Sequence, residues 1–83
     1  MTATVTLLTK PGCHLCDDAR AIVTAVVAET PGAQLVETSI LDDPDAYDRF
    51  VEEIPVVLIN GAVHNIWRVD ADRLRGALLE VTA

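Results

Sequence analysis

Within the first 27 residues a strand-like apolar run, a turn carrying two cysteines and a helix-like pattern follow one another, and this succession leaves few folds open. Val5, Leu7 and Leu8 lie among Thr4, Thr6 and Thr9 and predict a strand buried on at least one side. Lys10-Pro11-Gly12-Cys13-His14-Leu15-Cys16 comes next and holds the chain's only two cysteines. Pro11-Gly12 breaks the strand and makes the turn. From Cys16 onward Ala19, Ile22, Val23, Val26 and Val27 recur at helical spacing, with Asp17, Arg20 and Thr24 on the other side. A Cys-x-x-Cys on a strand-to-helix turn puts its first sulfur at the open helix end. Unpaired N–H groups and the positive end of the dipole stabilise a thiolate there. The second sulfur lies about one turn inside, near enough to close a disulfide. The predicted chemistry is thiol–disulfide exchange, with Cys13 as nucleophile and Cys16 resolving.

A structural zinc ion is the competing use of two cysteines. Such an ion wants four ligands, and the chain offers only His14 and His64 besides. His14, wedged between the cysteines, is poorly placed to share an ion with both, so no metal site is expected. Its alternatives are a solvent-facing turn residue or a protonated imidazole that favours the Cys13 thiolate and makes the disulfide more oxidising. Asp17 and Asp18 oppose that effect, but the helix terminus acts at shorter range and outweighs them.

Composition narrows the class further. A chain of 83 residues is expected to form a single domain, residues 1–83, with one core and little margin. Apolar residues make up 51% of it, which argues against disorder. Two cysteines do not make a secreted disulfide scaffold. The N-terminus runs into the first strand without a basic segment, and no apolar stretch approaches the roughly 18 residues of a membrane span. These features predict a soluble, cytoplasmic monomer with no membrane partner. Thirteen acidic residues against six basic ones give a net charge of −7. Nucleic acid is a poor candidate partner and none is expected, because neutralising phosphates needs a basic face.

Further along, Thr30-Pro31-Gly32 ends the first helix, and Gln34 to Ile40 reads as a second strand with Leu35, Val36 and Ile40 as its apolar members. Asp43 then caps a helix with Pro44 in its first turn and Asp45 suited to the dipole. Tyr47, Phe50, Val51 and Ile54 follow at i, i+3, i+4 and i+7 and predict an apolar stripe ended by Pro55. Val56 to Ile59 is apolar on both faces, as in the middle of a covered sheet. Asn60-Gly61 predicts a hairpin into a fourth strand from Ala62 to Trp67, on which His64 and Trp67 read as strand surface and core packing. Asp70 caps a last helix with Leu74, Ala77, Leu78 and Val81 on one face. The order is β-α-β-α-β-β-α.

This order, with Cys-x-x-Cys after the first strand and Ile54-Pro55 opening the third, resembles the thioredoxin fold in its short, glutaredoxin-like form. More narrowly, Lys10 to Cys16, Ile54-Pro55-Val56-Val57-Leu58-Ile59-Asn60-Gly61 and Trp67-Arg68-Val69-Asp70 resemble a family of small bacterial glutaredoxin-like proteins. The resemblance implies a thioredoxin-like α/β fold, a four-stranded mixed sheet flanked by three helices. It also implies that Cys13 attacks, that Cys16 resolves, and that the Ile54 backbone pairs with the substrate chain. By propensity Pro55 is a trans proline at a strand start, whereas the resemblance implies a cis proline facing the cysteines.

Lys10 matches a lysine that helps hold a glutathione carboxylate in glutaredoxins. Trp67-Arg68 stands where that family's glycines sit, which removes close backbone approach and inserts bulk. The expected partners are a disulfide-containing protein substrate and a recycling system. Glutathione is a candidate co-substrate, with better reduction expected from a protein reductase. No bound cofactor is expected. The reading from another class is a redox-inactive binding module, or one that holds an iron–sulfur cluster at a dimer interface through Cys13 and an external thiol.

Overall fold

The computed structural model describes residues 2–83. Its elements are β1 (Ala3–Thr9), α1 (His14–Glu29), β2 (Ala33–Ser39), a 3₁₀ turn (Ile40–Asp42), α2 (Pro44–Phe50), β3 (Val56–Ile59), β4 (Ala62–Ile66) and α3 (Ala71–Thr82). The strands form one mixed sheet in the order β2-β1-β3-β4. β1 pairs with β2 in parallel and with β3 antiparallel, and β3 pairs with β4 antiparallel. This is a thioredoxin-like fold.

Alternation along the strands divides the core into two layers. Ala3, Val5 and Leu7 of β1 and Val57 and Ile59 of β3 face α1 and α3, where they meet Ala19, Val23, Val26, Leu74 and Leu78. Leu8 and Val56 point the other way, toward Ile40 and Phe50. That second face is covered by the 3₁₀ turn and the seven residues of α2, and Thr4 and Thr6 are half-buried. The two layers thus explain why β1 alternates valine and leucine with threonine before it becomes apolar on both sides at Leu7-Leu8.

Local chemistry sets the element ends. Asp43 caps α2, its Oδ1 accepting from the N–H groups of Asp45 (3.1 Å) and Ala46 (3.2 Å). Asp70 Oδ1 does the same for Arg73 N–H at the start of α3 (3.1 Å). Asn60 (φ 51°) and Gly61 (φ 86°) give the β3–β4 turn its two left-handed residues, the requirement of a type I′ hairpin. Asn60 also fastens this turn to β1: its N–H donates to Thr4 O and its Oδ1 accepts from Thr4 N–H, both at 2.9 Å.

Three sequence expectations need correction. The second helix stops at Phe50 and does not carry the stripe to Ile54: the chain turns through 51–53, with Glu53 N–H donating to Phe50 O (2.8 Å). Pro55 disfavours helical backbone at Ile54, and Tyr47 is 42% exposed, so it contributes little to the core. Ile40 is buried in the 3₁₀ turn and not in the strand, and Val36 lies exposed on the edge strand β2. Trp67 lies beyond β4 and is 52% exposed, so it is not core packing.

Candidate active site

Gly12 takes φ +79°, a conformation that suits glycine, and nothing lies within 4 Å of where its Cβ would stand. The turn therefore needs glycine for its backbone and not for space. Cys13 follows as the N-cap of α1, and its Sγ accepts from Cys16 N–H at 3.2 Å. The first sulfur thus occupies the place of a capping oxygen, half-buried at the helix end. Cys16 is fully buried. Burial, and next a hydrogen bond with the Cys13 sulfur, push its thiol up to about 11, while a backbone group of Lys10 and the Arg20 guanidinium pull weakly the other way. Both thiols are free. His14 opens the helix with an exposed side chain.

An ion network flanks this turn. Arg20, one helical turn beyond Cys16, grips Glu37 of β2 with two bonds, Nε to Oε1 at 2.7 Å and Nη2 to Oε2 at 2.8 Å. Its Nη1 reaches Asp17 Oδ1 at 2.8 Å, and the buried Thr9 hydroxyl donates to Glu37 Oε2 at 3.1 Å. The guanidinium holds the Glu37 carboxyl below the usual carboxylate range, with burial opposing. Asp17, expected to work against a thiolate, is therefore partly neutralised by Arg20. Lys10 is exposed and lines a cavity of about 270 Å³ with Gly12 and the Arg20–Glu37 pair.

Strand register brings a second segment to the same end of the sheet. Leu8 of β1 pairs with Val56 of β3, and Val56 pairs with Ile66 of β4. Pro55, buried, therefore lies opposite the last residues before the cysteine turn, and its peptide bond with Ile54 is cis. Trp67 closes the group: its N–H donates to Pro55 O (2.8 Å) and Glu53 O (3.3 Å). Leu15, from between the cysteines, lines an open cavity of about 440 Å³ with Ile66, Trp67 and Arg68. Lys10 and Arg68 border different cavities. Among the described residues no group of three or more His, Cys, Asp or Glu is gathered as metal ligands.

With this geometry in view, comparison with known proteins is decisive for the family. The model of the Glutaredoxin-like domain matches residues 4–79. The chain belongs to the glutaredoxin-like domain family. No curated protein matches it. Among solved structures, a structural-genomics target from X. campestris is 28% identical, with TM-score 0.68 over 92% of this chain and 96% of that one. A Nitrosomonas europaea protein solved in solution is 18% identical, with TM-score 0.76 over 93% and 91%. A thioredoxin mutant from Halobacterium salinarum is 16% identical, with TM-score 0.75 over 98% and 75%. At those identities the last two are likenesses of fold.

In this glutaredoxin-like chain, sequence reasoning missed Glu37 and misplaced Trp67. Only the parallel register that pairs Leu7 with Glu37 shows that Glu37 reaches α1, and no local pattern carries it. His64 lies on β4 at a bulge, since Val57 pairs with Asn65 and Leu58 with Val63. Its Nε2 is buried without a partner among the described residues, and burial, then Arg73, lowers its pKa. No helix among the described residues is long and apolar enough to cross a membrane.

Proposed function

We propose that this chain is a dithiol–disulfide oxidoreductase working in the cytoplasm. The observation that carries the reading is the inequality of two neighbouring sulfurs: Cys13 half-exposed under a helix N–H, and Cys16 fully buried with its thiol at about 11. The Cys13 thiolate attacks one sulfur of a substrate disulfide. The S–S bond breaks, and the leaving thiolate takes a proton from water. A mixed disulfide between Cys13 and the substrate remains. Forming it removes the charge on Cys13, and with it the hydrogen bond and the repulsion that add to burial in holding the Cys16 proton in place. Cys16 then gives its proton to water and attacks the Cys13 sulfur, and the second substrate thiolate it expels takes up a proton in turn. Two electrons have passed to the substrate, and the chain ends with a Cys13–Cys16 disulfide.

Recycling is assigned to a protein reductase in preference to glutathione. Lys10 and Arg68 border separate cavities and do not line one shared pocket, and the bulk of Trp67-Arg68 stands where the resemblance places glycines. A single exposed charge contact is worth about 1 kcal/mol or less. The reading is tested by NADPH consumption with glutathione plus its reductase, and with a thioredoxin reductase, at matched concentrations of this protein. Turnover should depend on both cysteines and run faster with the protein reductase. Absence of turnover with either, and with chemically reduced protein and a protein disulfide, would overturn the function. Efficient turnover with glutathione would overturn only the choice of donor.

A further inference from the structure

Trp67 holds a backbone conformation that its side chain makes unfavourable. Its φ is +64°, in the region bulky L residues avoid, and it is neither in a strand nor in a regular turn. Such an outlier persists where its surroundings over-determine it. Here three bonds do so: backbone N–H to Pro55 O (2.8 Å) and Glu53 O (3.3 Å), and indole Nε1–H to Glu52 O (3.0 Å). A glycine would adopt this φ freely and would still donate its backbone N–H. Only the indole supplies the tie to Glu52, so the ring and not the backbone accounts for tryptophan at this place.

The three carbonyls bracket Ile54. Residues 52, 53 and 55 are all tied to Trp67, while the N–H and C=O of Ile54 make no backbone hydrogen bond among the described residues. The same ring shares a cavity with Leu15, which sits between the two cysteines. Trp67 is therefore bonded to the turn that presents free backbone groups and borders the same cavity as Leu15 of the dithiol segment.

We propose that Trp67 is a positioning residue that pins the 52–55 turn against the dithiol turn, so that the Ile54 backbone meets a peptide chain beside its disulfide. This rests on the oxidoreductase reading and on the pairing of the Ile54 backbone with a substrate chain that the family resemblance implies; what it adds is the assignment of Trp67 as the residue that holds those backbone groups in place. Trp67 touches no reacting atom. Its removal leaves the sulfur chemistry intact and weakens only the reading of the peptide.

The test uses the whole reduced chain, freed of reductant, and measures second-order rates of thiol release from three disulfides. One is a short peptide disulfide, one is the same peptide N-methylated next to its cysteine, and one is bis(2-hydroxyethyl) disulfide. The wild type should prefer the plain peptide over its N-methylated form by about tenfold, the scale of one or two backbone hydrogen bonds. In Trp67→Gly, which relieves the positive φ, that ratio should fall toward one while the rate with bis(2-hydroxyethyl) disulfide stays within about twofold. Trp67→Phe keeps a ring without the donor. It should lose part of the ratio, and it serves as the test should the glycine variant not fold. An unchanged ratio in both variants, or an equal loss on all three disulfides, would overturn the assignment of Trp67. A wild type that releases thiol from none of them overturns the oxidoreductase reading itself, and the assignment with it.

Discussion

Separating the two sulfurs by mutation puts the site's central asymmetry to a quantitative test. In Cys13→Ser only the buried Cys16 remains, and in Cys16→Ser only the half-exposed Cys13. Cys16 is raised from 9.0 to about 11, with burial as the largest cause, and burial survives replacement of Cys13 by serine. A rise of two units leaves about one-hundredth of the thiolate at neutral pH. The more basic thiolate is intrinsically a better nucleophile. With a Brønsted coefficient of about 0.4–0.5, that recovers roughly eightfold. Replacing Cys13 removes the smaller part of the rise that it causes, so ionisation alone slows Cys16 in the variant by up to about tenfold relative to an ordinary thiol, and full burial slows it further.

The assay is the second-order rate with an aromatic disulfide reagent from pH 6 to 11, for both variants and for a free cysteine peptide. Cys13→Ser should react more slowly than the peptide at pH 7.5, by about severalfold or more, and its rate should still be climbing above pH 9. Cys16→Ser should react faster than Cys13→Ser throughout the neutral range. A Cys13→Ser profile with its midpoint at or below 9.0, or equal rates for the two variants, would refute the assignment of roles.

Four further outcomes are expected. His64 titrates below its ordinary range in the folded chain, so the unfolded chain takes up the proton first. Stability should hold above pH 6.5 and fall as pH drops from 6.5 through the lowered folded value, a slope that thermal melts of His64→Gln should lack. Leu7→Ala empties a fully buried position between the sheet and its two helices, and should cost about 3 kcal/mol in urea unfolding with little change in slope. Asn60→Ala loses both the tolerated left-handed φ and the bond from Thr4 N–H, and should cost roughly 1–2 kcal/mol, whereas Asn60→Gly keeps the conformation and should lose less. His14→Ala should move the dithiol to a more reducing midpoint in redox titration, and an unchanged midpoint would leave His14 a bystander.

Much of this was legible in the sequence because it is local. Asp43-Pro44, Asn60-Gly61 and Asp70 specify caps and a turn within four residues, and the structure uses each in that way. The dithiol turn is equally local, since Cys13 and Cys16 are joined by one turn of helix. What escaped depends on partners far along the chain. The end of α2 is set by the need to reach β3, so the helical spacing of Val51 and Ile54 misleads. The Arg20–Glu37 grip spans 17 residues and needs a parallel strand register. Trp67 has a positive φ because carbonyls 12 to 15 residues earlier hold it there, and no propensity scale anticipates a tryptophan in that region.

The place of β1 in the middle of the sheet has a consequence for how the chain matures. Its second partner, β3, ends at Ile59, 43 residues after Cys16. At roughly 5–20 residues per second, a ribosome needs about 2 to 9 s to make that stretch. Through those seconds β1 lacks one of its two sheet neighbours, and the fold that buries Cys16 is incomplete. Cys16 then lacks part of the burial that is the largest cause of its raised pKa in the finished chain. The full inequality of the two sulfurs is thus a property of the finished fold and not of the dithiol turn alone.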